Sequence, residues 1–92
     1  MSWTVLESRK ATKQRERLPE TIESLLIALE KEIEVSGPVR GNWPNYSKLG
    51  QNLHHCHLKN GRPTYVACWE VKDKNIRLVE IYYVGTREKA PY

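Results

Sequence analysis

The chain has 92 residues, with 15 Lys or Arg against 11 Asp or Glu, so its formal net charge is +4 and its pI is about 9.2. This size predicts a single domain over residues 1–92, and the 39% of hydrophobic residues with ordinary numbers of Pro and Gly argues against a disordered chain. No stretch approaches the roughly 18 to 20 apolar residues of a membrane span, whereas the basic charge favours nucleic acid or another polyanion as a partner.

The start of the chain predicts where the protein works. It becomes strongly charged before any apolar run of adequate length, which excludes a secretory signal, so we expect a cytoplasmic protein. Because a reducing compartment keeps cysteines as thiols, Cys56 and Cys68 are expected to be unpaired and to fill space in the core. We expect no cofactor and no membrane partner.

The first half of the chain predicts one strand and two helices. Residues 2–6, Ser-Trp-Thr-Val-Leu, have strand character. Residues 9–17 hold five basic side chains and almost no hydrophobic ones, so a helix there would be largely exposed. Residues 19–36 are the clearest helix, with Pro19 suited to the first turn and Ser-Gly-Pro stopping it. Its apolar stripe, which predicts one face packed on a sheet, consists of Ile22, Leu25, Leu26, Leu29 and Ile33.

A loop is predicted to lead from this helix to the second half of the chain. Residues 37–51 are rich in Gly, Pro and Asn, which are typical of connections. The large apolar side chains of this segment, Trp43, Tyr46 and Leu49, are expected to anchor it in the core.

Three strand-like runs fill the second half, at residues 52–59, 63–71 and 75–85. The turns between them, Asn60-Gly61 and residues 72–75, are too short for crossovers, so the runs are predicted to form an antiparallel meander. The predicted fold class is therefore α+β in the order β-α-α-β-β-β, with an N-terminal strand beside the meander and the helices on one sheet face.

All three histidines of the chain fall in one His-His-Cys-His run. Side chains alternate along a strand, so His55 and His57 share one face. His54 and Cys56 then share the other, and the run cannot offer four ligands to one metal ion. A three-residue hairpin loop would bring Cys68 opposite Cys56, but that set lacks the paired cysteines typical of zinc sites. We expect no metal and assign both thiols to packing.

The His55 and His57 face predicts acid–base chemistry. Two imidazoles about 6 to 7 Å apart can supply a base and an acid near neutral pH. Lys59 and Arg62 lie at the predicted hairpin, and Arg87 follows the last strand. Such a set, without carboxylates for magnesium, suits metal-free cleavage of RNA, in which the ribose 2′-OH attacks the adjacent phosphate. The alternative is an exposed His-rich strand with no catalytic role.

The C-terminal part of the chain resembles a known family. A hydrophobic strand leads into Val-Gly-Thr-Arg-Glu and a final Tyr, which resembles the ending of RelE-type toxins in the RelE/ParE superfamily of bacterial type II toxin–antitoxin systems. The β-α-α-β-β-β order is also that of this family. The resemblance covers the whole chain in layout and residues 53–92 in motif.

This resemblance implies a ribosome-dependent endoribonuclease, an mRNA interferase that cleaves mRNA in the A site and so inhibits translation. Carried over by position, it places the arginine after the last strand at Arg87, the C-terminal tyrosine at Tyr92, and the alternating basic pair of the first meander strand at His55 and His57. The family's second-strand arginine has no direct match here, and Arg62 is the nearest substitute. Tyr92 comes one residue earlier than the usual spacing.

The resemblance also implies partners. A cognate antitoxin neutralises such toxins, the ribosome and mRNA are the targets, and operator DNA is reached only through the antitoxin. The basic residues expected to hold the RNA backbone are Arg9, Lys10, Lys13, Lys48, Lys59 and Lys89.

Two other functions remain open for a chain of this layout. A ParE-like toxin would inhibit DNA gyrase without cutting RNA, but ParE-type chains lack acid–base residues, so the two histidines argue against it. An inactive relative would act only as a repressor partner of its antitoxin.

Overall fold

The computed structural model describes residues 2–92, which form a five-stranded sheet and two α-helices. The elements in chain order are β1 (Thr4–Glu7), α1 (Arg9–Arg15), α2 (Glu20–Ser36), β2 (Ser47–Lys48), β3 (Leu53–Lys59), β4 (Tyr65–Asp73) and β5 (Leu78–Thr86), followed by a 3-10 turn at Arg87–Lys89. The strand order is β1-β5-β4-β3-β2, in which β1 runs parallel to β5 and the other neighbours are antiparallel. The predicted α+β class and meander are confirmed, and β2 is a short strand inside the predicted loop. No helix in residues 2–92 is long and apolar enough to cross a membrane.

Both α1 and α2 pack on the same face of the sheet, which we call the helix side. From α2 the predicted stripe supplies four buried residues, while Leu25 is half-buried. From α1, a mostly exposed helix as predicted, Ala11 is buried. The sheet residues that meet the helices are Cys56, Leu58, Ala67, Trp69, Val71, Val79, Ile81 and Val84. The opposite face, which we call the open face, carries a smaller cluster of Val66, Cys68 and Tyr83.

A β-bulge at Leu58 sets the faces of the His-His-Cys-His run. Lys59 lies opposite Tyr65, but beyond the bulge the register shifts so that His57 lies opposite Val66. The bulge follows His57, so the predicted alternation holds through the run. His54 stacks on Trp69 in the main core, with ring centroids 5.8 Å apart, and the next residue therefore faces the open side.

The same bulge keeps the two cysteines from lying opposite each other on the neighbouring strands. Cys56 lies opposite Ala67 on the helix side, whereas Cys68 lies opposite His55 on the open face. A register carried unchanged from the hairpin through Leu58 would have placed the two thiols opposite each other, as a three-residue hairpin loop would, but the bulge shifts it by one residue. Both cysteines are buried and free, as predicted, and burial raises the pKa of each thiol to about 12. No group of three His, Cys, Asp or Glu side chains in residues 2–92 is placed to hold a metal ion.

Glu32 on α2 anchors the loop that precedes β3. Its Oε1 accepts hydrogen bonds from Asn42 Nδ2 (2.8 Å) and Trp43 Nε1 (2.9 Å) and pairs with Arg40 (3.2 Å). Trp43 and Tyr46 pack against the main core as predicted. The anchored loop then runs beside β3 and ends in β2, so the contacts with Glu32 hold β2 in position.

A partly buried carboxyl pair joins β1 to α2. Arg15 of α1 contacts Glu7 at 2.8 Å and Glu30 at 4.0 Å, and the two carboxyls share a hydrogen bond. Burial and the hydrogen bond to Glu7 raise the pKa of Glu30 to about 8. Hydrogen bonds from Glu30 and Arg15 lower the pKa of Glu7, although burial opposes this. The shared proton therefore resides on Glu30, whose Oε2 is buried without a hydrogen-bond partner.

This pair predicts a pH-dependent stability. An unfolded Glu releases its proton near pH 4.5 and the folded Glu30 near pH 8, so its stabilising contribution is complete below 4.5 and lost as the pH rises through 8. The free energy of unfolding should fall across this window by at most about 1.4 kcal/mol per pH unit. Urea unfolding between pH 5 and 9 measures this slope, which Glu30→Gln should flatten. An unchanged slope in that variant would rule out Glu30 as the source.

Candidate active site

The predicted histidine pair lies together on the open face of β3. The ring centroids of His55 and His57 are 6.2 Å apart, within the spacing expected along one strand. The side chains are mostly buried, with 8% and 7% of each residue exposed. The pair is therefore ordered by packing and still open to solvent at its edge.

His55 is oriented by β2. Its Nδ1 lies 3.3 Å from the main-chain oxygen of Ser47 and 3.1 Å from the Ser47 hydroxyl. A carbonyl oxygen can only accept, so Nδ1 of His55 carries the proton and donates it. In the neutral ring Nε2 is then the basic atom.

His57 is oriented by Asn60 at the end of β3. Its Nδ1 is hydrogen-bonded to Asn60 Oδ1, and Asn60 Nδ2 in turn donates to Asn45 Oδ1 at 3.4 Å. An amide oxygen accepts, so Nδ1 of His57 also carries a proton. The main-chain N–H of His57 donates to the carbonyl oxygen of Pro44 at 2.8 Å. The loop that contains Asn45 is therefore also bonded to the backbone of His57.

Both rings therefore present Nε2 to the open face. Within residues 2–92 neither Nε2 atom has a hydrogen-bond partner. Neither atom is among the fully buried polar atoms that lack a partner, so each keeps some exposure to solvent. Burial lowers the pKa of His55 below 6.5, and the charges of His57 and Arg87 lower it further, although the Ser47 carbonyl raises it. Near neutral pH His55 is therefore a neutral ring with a free basic nitrogen.

Arg87 is held at the end of β5 by a close-packed turn. The Tyr83 hydroxyl lies where a side chain on Gly85 would be, 2.9 Å from the position of a Cβ, and donates to the Thr86 carbonyl at 2.6 Å. The N–H of Arg87 then donates to the Thr64 carbonyl at 2.8 Å. A larger residue than glycine at position 85 would displace the Tyr83 hydroxyl and with it the hydrogen bond to Thr86, the residue before Arg87.

Arg62 lies close to Arg87 rather than in the histidine pair. Both arginines line an open cleft of about 490 Å³ between the β3–β4 hairpin and the turn after β5. Glu88 lines the same cleft and offsets part of its positive charge. Arg87 is the residue that links this cleft to the histidines, because its charge acts on His55.

Tyr92 reaches the same place from the end of the chain. Its ring centroid is 4.6 Å from that of His55, and half of the residue remains exposed. Burial raises the pKa of Tyr92 above 10, so it stays a phenol and a hydrogen-bond donor near neutral pH. Four predicted residues, His55, His57, Arg87 and Tyr92, are therefore brought together.

The predicted RNA-binding residues fall into separate places. Lys10 and Lys89 line a groove of about 530 Å³ between α1 and β5, together with Arg17 and three tyrosines. Arg9 and Lys13 are exposed on α1, and Lys59 is exposed past the bulge. Lys48 lines a cavity on the helix side, away from the histidine pair.

Sequence reasoning missed the residues that orient the pair. Asn60 was interpreted as a turn residue, and Ser47 and Asn45 as part of a connection. The one sequence signal for Asn60 is its position: it is a polar residue three positions after His57, at the end of the strand. The contact between Ser47 and His55 depends on the pairing of β2 with β3, which no signal in the sequence predicts.

Comparison with solved structures identifies the architecture. The free E. coli toxin RelE, as a double mutant, superposes with a TM-score of 0.75 at 18% identity, over 98% of this chain and 88% of that one. The RelE–RelB complex of Pyrococcus horikoshii OT3 gives 0.70 at 15% identity, over 98% and 100%. The RelBE2 complex of Mycobacterium tuberculosis gives 0.61 at 19% identity, over 95% and 100%. The chain has the RelE fold.

The RelE fold was predicted from the resemblance in layout and C-terminal motif, and it is confirmed. No protein-family model matches the sequence, and no curated protein matches it. At 15 to 19% identity the RelE structures show the fold alone, so the chemistry must be argued from this chain's own side chains.

Proposed function

We propose that this protein is the toxin of a toxin–antitoxin pair and acts as an endoribonuclease that cleaves ribosome-bound mRNA without a metal ion. The observation that carries the proposal is the open-face cluster: two histidines with free Nε2 atoms beside Arg87 and Tyr92 on a RelE fold. The set contains a base, an acid and a cation, which are the groups that cleavage through the 2′-OH requires.

The chemistry proceeds in one displacement. His55 Nε2 removes the proton of the ribose 2′-OH, and the oxygen attacks the adjacent phosphorus. Arg87 stabilises the negative charge that builds on the phosphoryl oxygens. His57 donates the proton of Nε2 to the departing 5′ oxygen. The products are a 2′,3′-cyclic phosphate and a free 5′-hydroxyl, and the two histidines have exchanged protonation states.

The roles of the two histidines follow from their surroundings. His55 is the base because burial and neighbouring positive charge keep it neutral. His57 is the acid, since His55 takes the role of the base and the hydrogen bond from Nδ1–H to the Asn60 amide oxygen leaves Nε2 of His57 directed at the substrate. Tyr92, whose ring lies tilted at 57° against that of His55, holds the ribose or stacks on the adjoining base in this proposal.

An antitoxin and the ribosome are the proposed partners. Several of the RelE structures are complexes with RelB, which supports an antitoxin for this chain. The exposed cations of α1 and the α1–β5 groove offer a surface for the RNA backbone. Gyrase inhibition requires no acid–base pair, so the oriented histidines favour the nuclease.

Asn60 predicts a distinctive pH response. Replacing it by Leu removes the acceptor at Nδ1 of His57 and should lower the cleavage rate by about 10- to 100-fold through lost orientation. Asn60→Asp keeps an acceptor and stabilises the protonated ring, so the alkaline limb of the rate profile should move to higher pH. The profile is measured on a purified ribosome–mRNA complex.

Asn75 provides the matched control for this experiment. It is an exposed asparagine in the β4–β5 turn, far from the pair in the fold, and Asn75→Leu should leave rate and profile unchanged. A normal rate in Asn60→Leu would show that Asn60 has no part in orienting His57.

The proposal itself is tested by induction of the protein in growing bacteria. Primer extension on cellular mRNA should reveal breaks at fixed codon positions in wild type, with none after replacement of His55, His57 or Arg87. Gyrase-linked DNA breaks in place of RNA breaks would support the ParE-like alternative. The absence of both kinds of break would support the inactive relative.

A further inference from the structure

The cavity lined by Lys48 lies on the helix side, on the opposite face of the sheet from His55 and His57. Its volume is about 540 Å³, within the range of small-molecule sites. It sits where β3 begins and β4 ends, with His54 and Val71 of those strands in its wall. Chemistry at this cavity is therefore separate from the open-face cluster.

The cavity is positively charged. Its lining within residues 2–92 includes Lys48, Lys74 and Arg77 and no Asp or Glu. Neither lysine has an ion-pair partner in that part of the chain. Asp73, the carboxylate next to Lys74 in sequence, accepts hydrogen bonds from the main chain of the β4–β5 turn instead. Two lysines without an ion-pair partner, in a lining without a carboxylate, favour an anion as the ligand, above all a phosphate.

Asn52, one of the residues that line the cavity, holds an unsatisfied acceptor. Asn52 Oδ1 is buried and has no hydrogen-bond partner, while the Asn52 main chain is fixed by a 2.9 Å bond from the N–H of Val71. A buried polar atom without a partner costs roughly 1 to 3 kcal/mol, so such atoms call for an explanation. A ligand that carries an N–H or O–H group would supply the missing donor.

An aromatic ring completes the wall. The Trp3 side chain packs over Gly37, with its Nε1 3.3 Å from the position of a Cβ there, and the Trp3 N–H donates to the Glu34 carbonyl at 2.7 Å. The ring is half-buried and lines the cavity beside Val39. A fixed indole offers a flat ligand a surface for stacking.

We propose that this cavity binds a nucleotide, with the phosphate held by Lys48 and Lys74 and the base lying toward Trp3 and the Asn52 carbonyl oxygen. The nucleotide is either free or part of an RNA chain, since both present a phosphate and a hydrogen-bonding ring. The inference does not depend on the proposed nuclease activity.

Calorimetric titration of the full chain tests the proposal, with 5′-GMP, guanosine and inorganic phosphate as separate probes. We expect 5′-GMP to bind at least about tenfold more tightly than guanosine or phosphate, because it uses both halves of the site. The double variant Lys48→Gln, Lys74→Gln should weaken 5′-GMP binding by about tenfold or more. Both lysines are exposed, so this variant should fold, which thermal unfolding verifies.

Lys72→Gln is the matched control, since Lys72 is exposed on β4, pairs with Glu70 at 3.5 Å and lies outside the cavity. Binding in this variant should stay within about twofold of wild type. No binding of 5′-GMP, or equal loss in the control and the double variant, would overturn the proposal. A single-stranded RNA that binds more tightly than 5′-GMP and responds to the same lysines identifies RNA as the source, and equal affinities identify the free nucleotide.

Discussion

Replacement of His55 by Ala is expected to lower the rate of mRNA cleavage by about 10²- to 10⁴-fold, the usual contribution of a positioned base. His57→Ala should cause a loss of the same order, because the leaving oxygen then departs without a proton. Single-turnover cleavage on ribosomes measures both rates. The double variant should be little slower than either single one, since a base and an acid that act in one displacement contribute as a unit.

The pH profile separates the two histidines. The pKa of His55 is lowered from 6.5, so the acidic limb of the rate, where the base loses activity by protonation, should have its midpoint below pH 6.5. That limb should disappear in His55→Ala and persist in His57→Ala. The reverse pattern would exchange their roles.

His54 supplies the internal control for this experiment. It is the adjacent histidine in sequence but lies on the helix side, where its Nδ1 is 2.7 Å from the Tyr46 hydroxyl and its ring stacks on Trp69. His54→Gln should lower stability without changing the cleavage rate of the folded protein. A rate loss in His54→Gln as large as that in His55→Ala would contradict the assigned faces.

Arg87→Ala is expected to reduce cleavage by about 10²- to 10³-fold, because the charge on the attacked phosphate would lose its closest cation. Arg87 is exposed and its own N–H, not its side chain, holds the turn, so the variant should fold normally. In cells the same change should relieve growth arrest. Arg87→Lys should recover part of the rate, since lysine keeps the charge but not the planar fork.

Lys31 on α2 is a suitable control for the loss of one charge. It is exposed, and Lys31→Ala should leave cleavage within about twofold of wild type. Full toxicity in a well-folded Arg87→Ala protein would exclude Arg87 from the reaction.

The sequence predicted the fold because its local signals agree with one another. The spacing from Ile22 to Ile33 is helical, and the three later runs are separated by turns too short to cross over. It also predicted the face shared by His55 and His57, since strand alternation is local and the bulge lies beyond them. The position of Cys56 relative to Cys68 depends on the strand register across the hairpin, and a bulge at one residue changes that register.

The surroundings of the pair could not be read in the same way. Ser47 reaches His55 because a loop anchored by Glu32 adds β2 to the sheet edge, a tertiary contact between distant segments. Lys48 is next to Ser47 in sequence yet faces the opposite side of the sheet, so position in sequence does not show which face of the sheet a side chain occupies.

Cleavage of a defined mRNA on purified ribosomes is the decisive test of the proposed nuclease activity. We expect the purified protein, in the presence of EDTA, to cut the mRNA only when ribosomes are present, to leave 2′,3′-cyclic phosphate and 5′-hydroxyl ends, and to lose this activity in His55→Ala. Intact mRNA after incubation with folded wild-type protein, or equal cleavage by wild type and His55→Ala, would contradict the proposal.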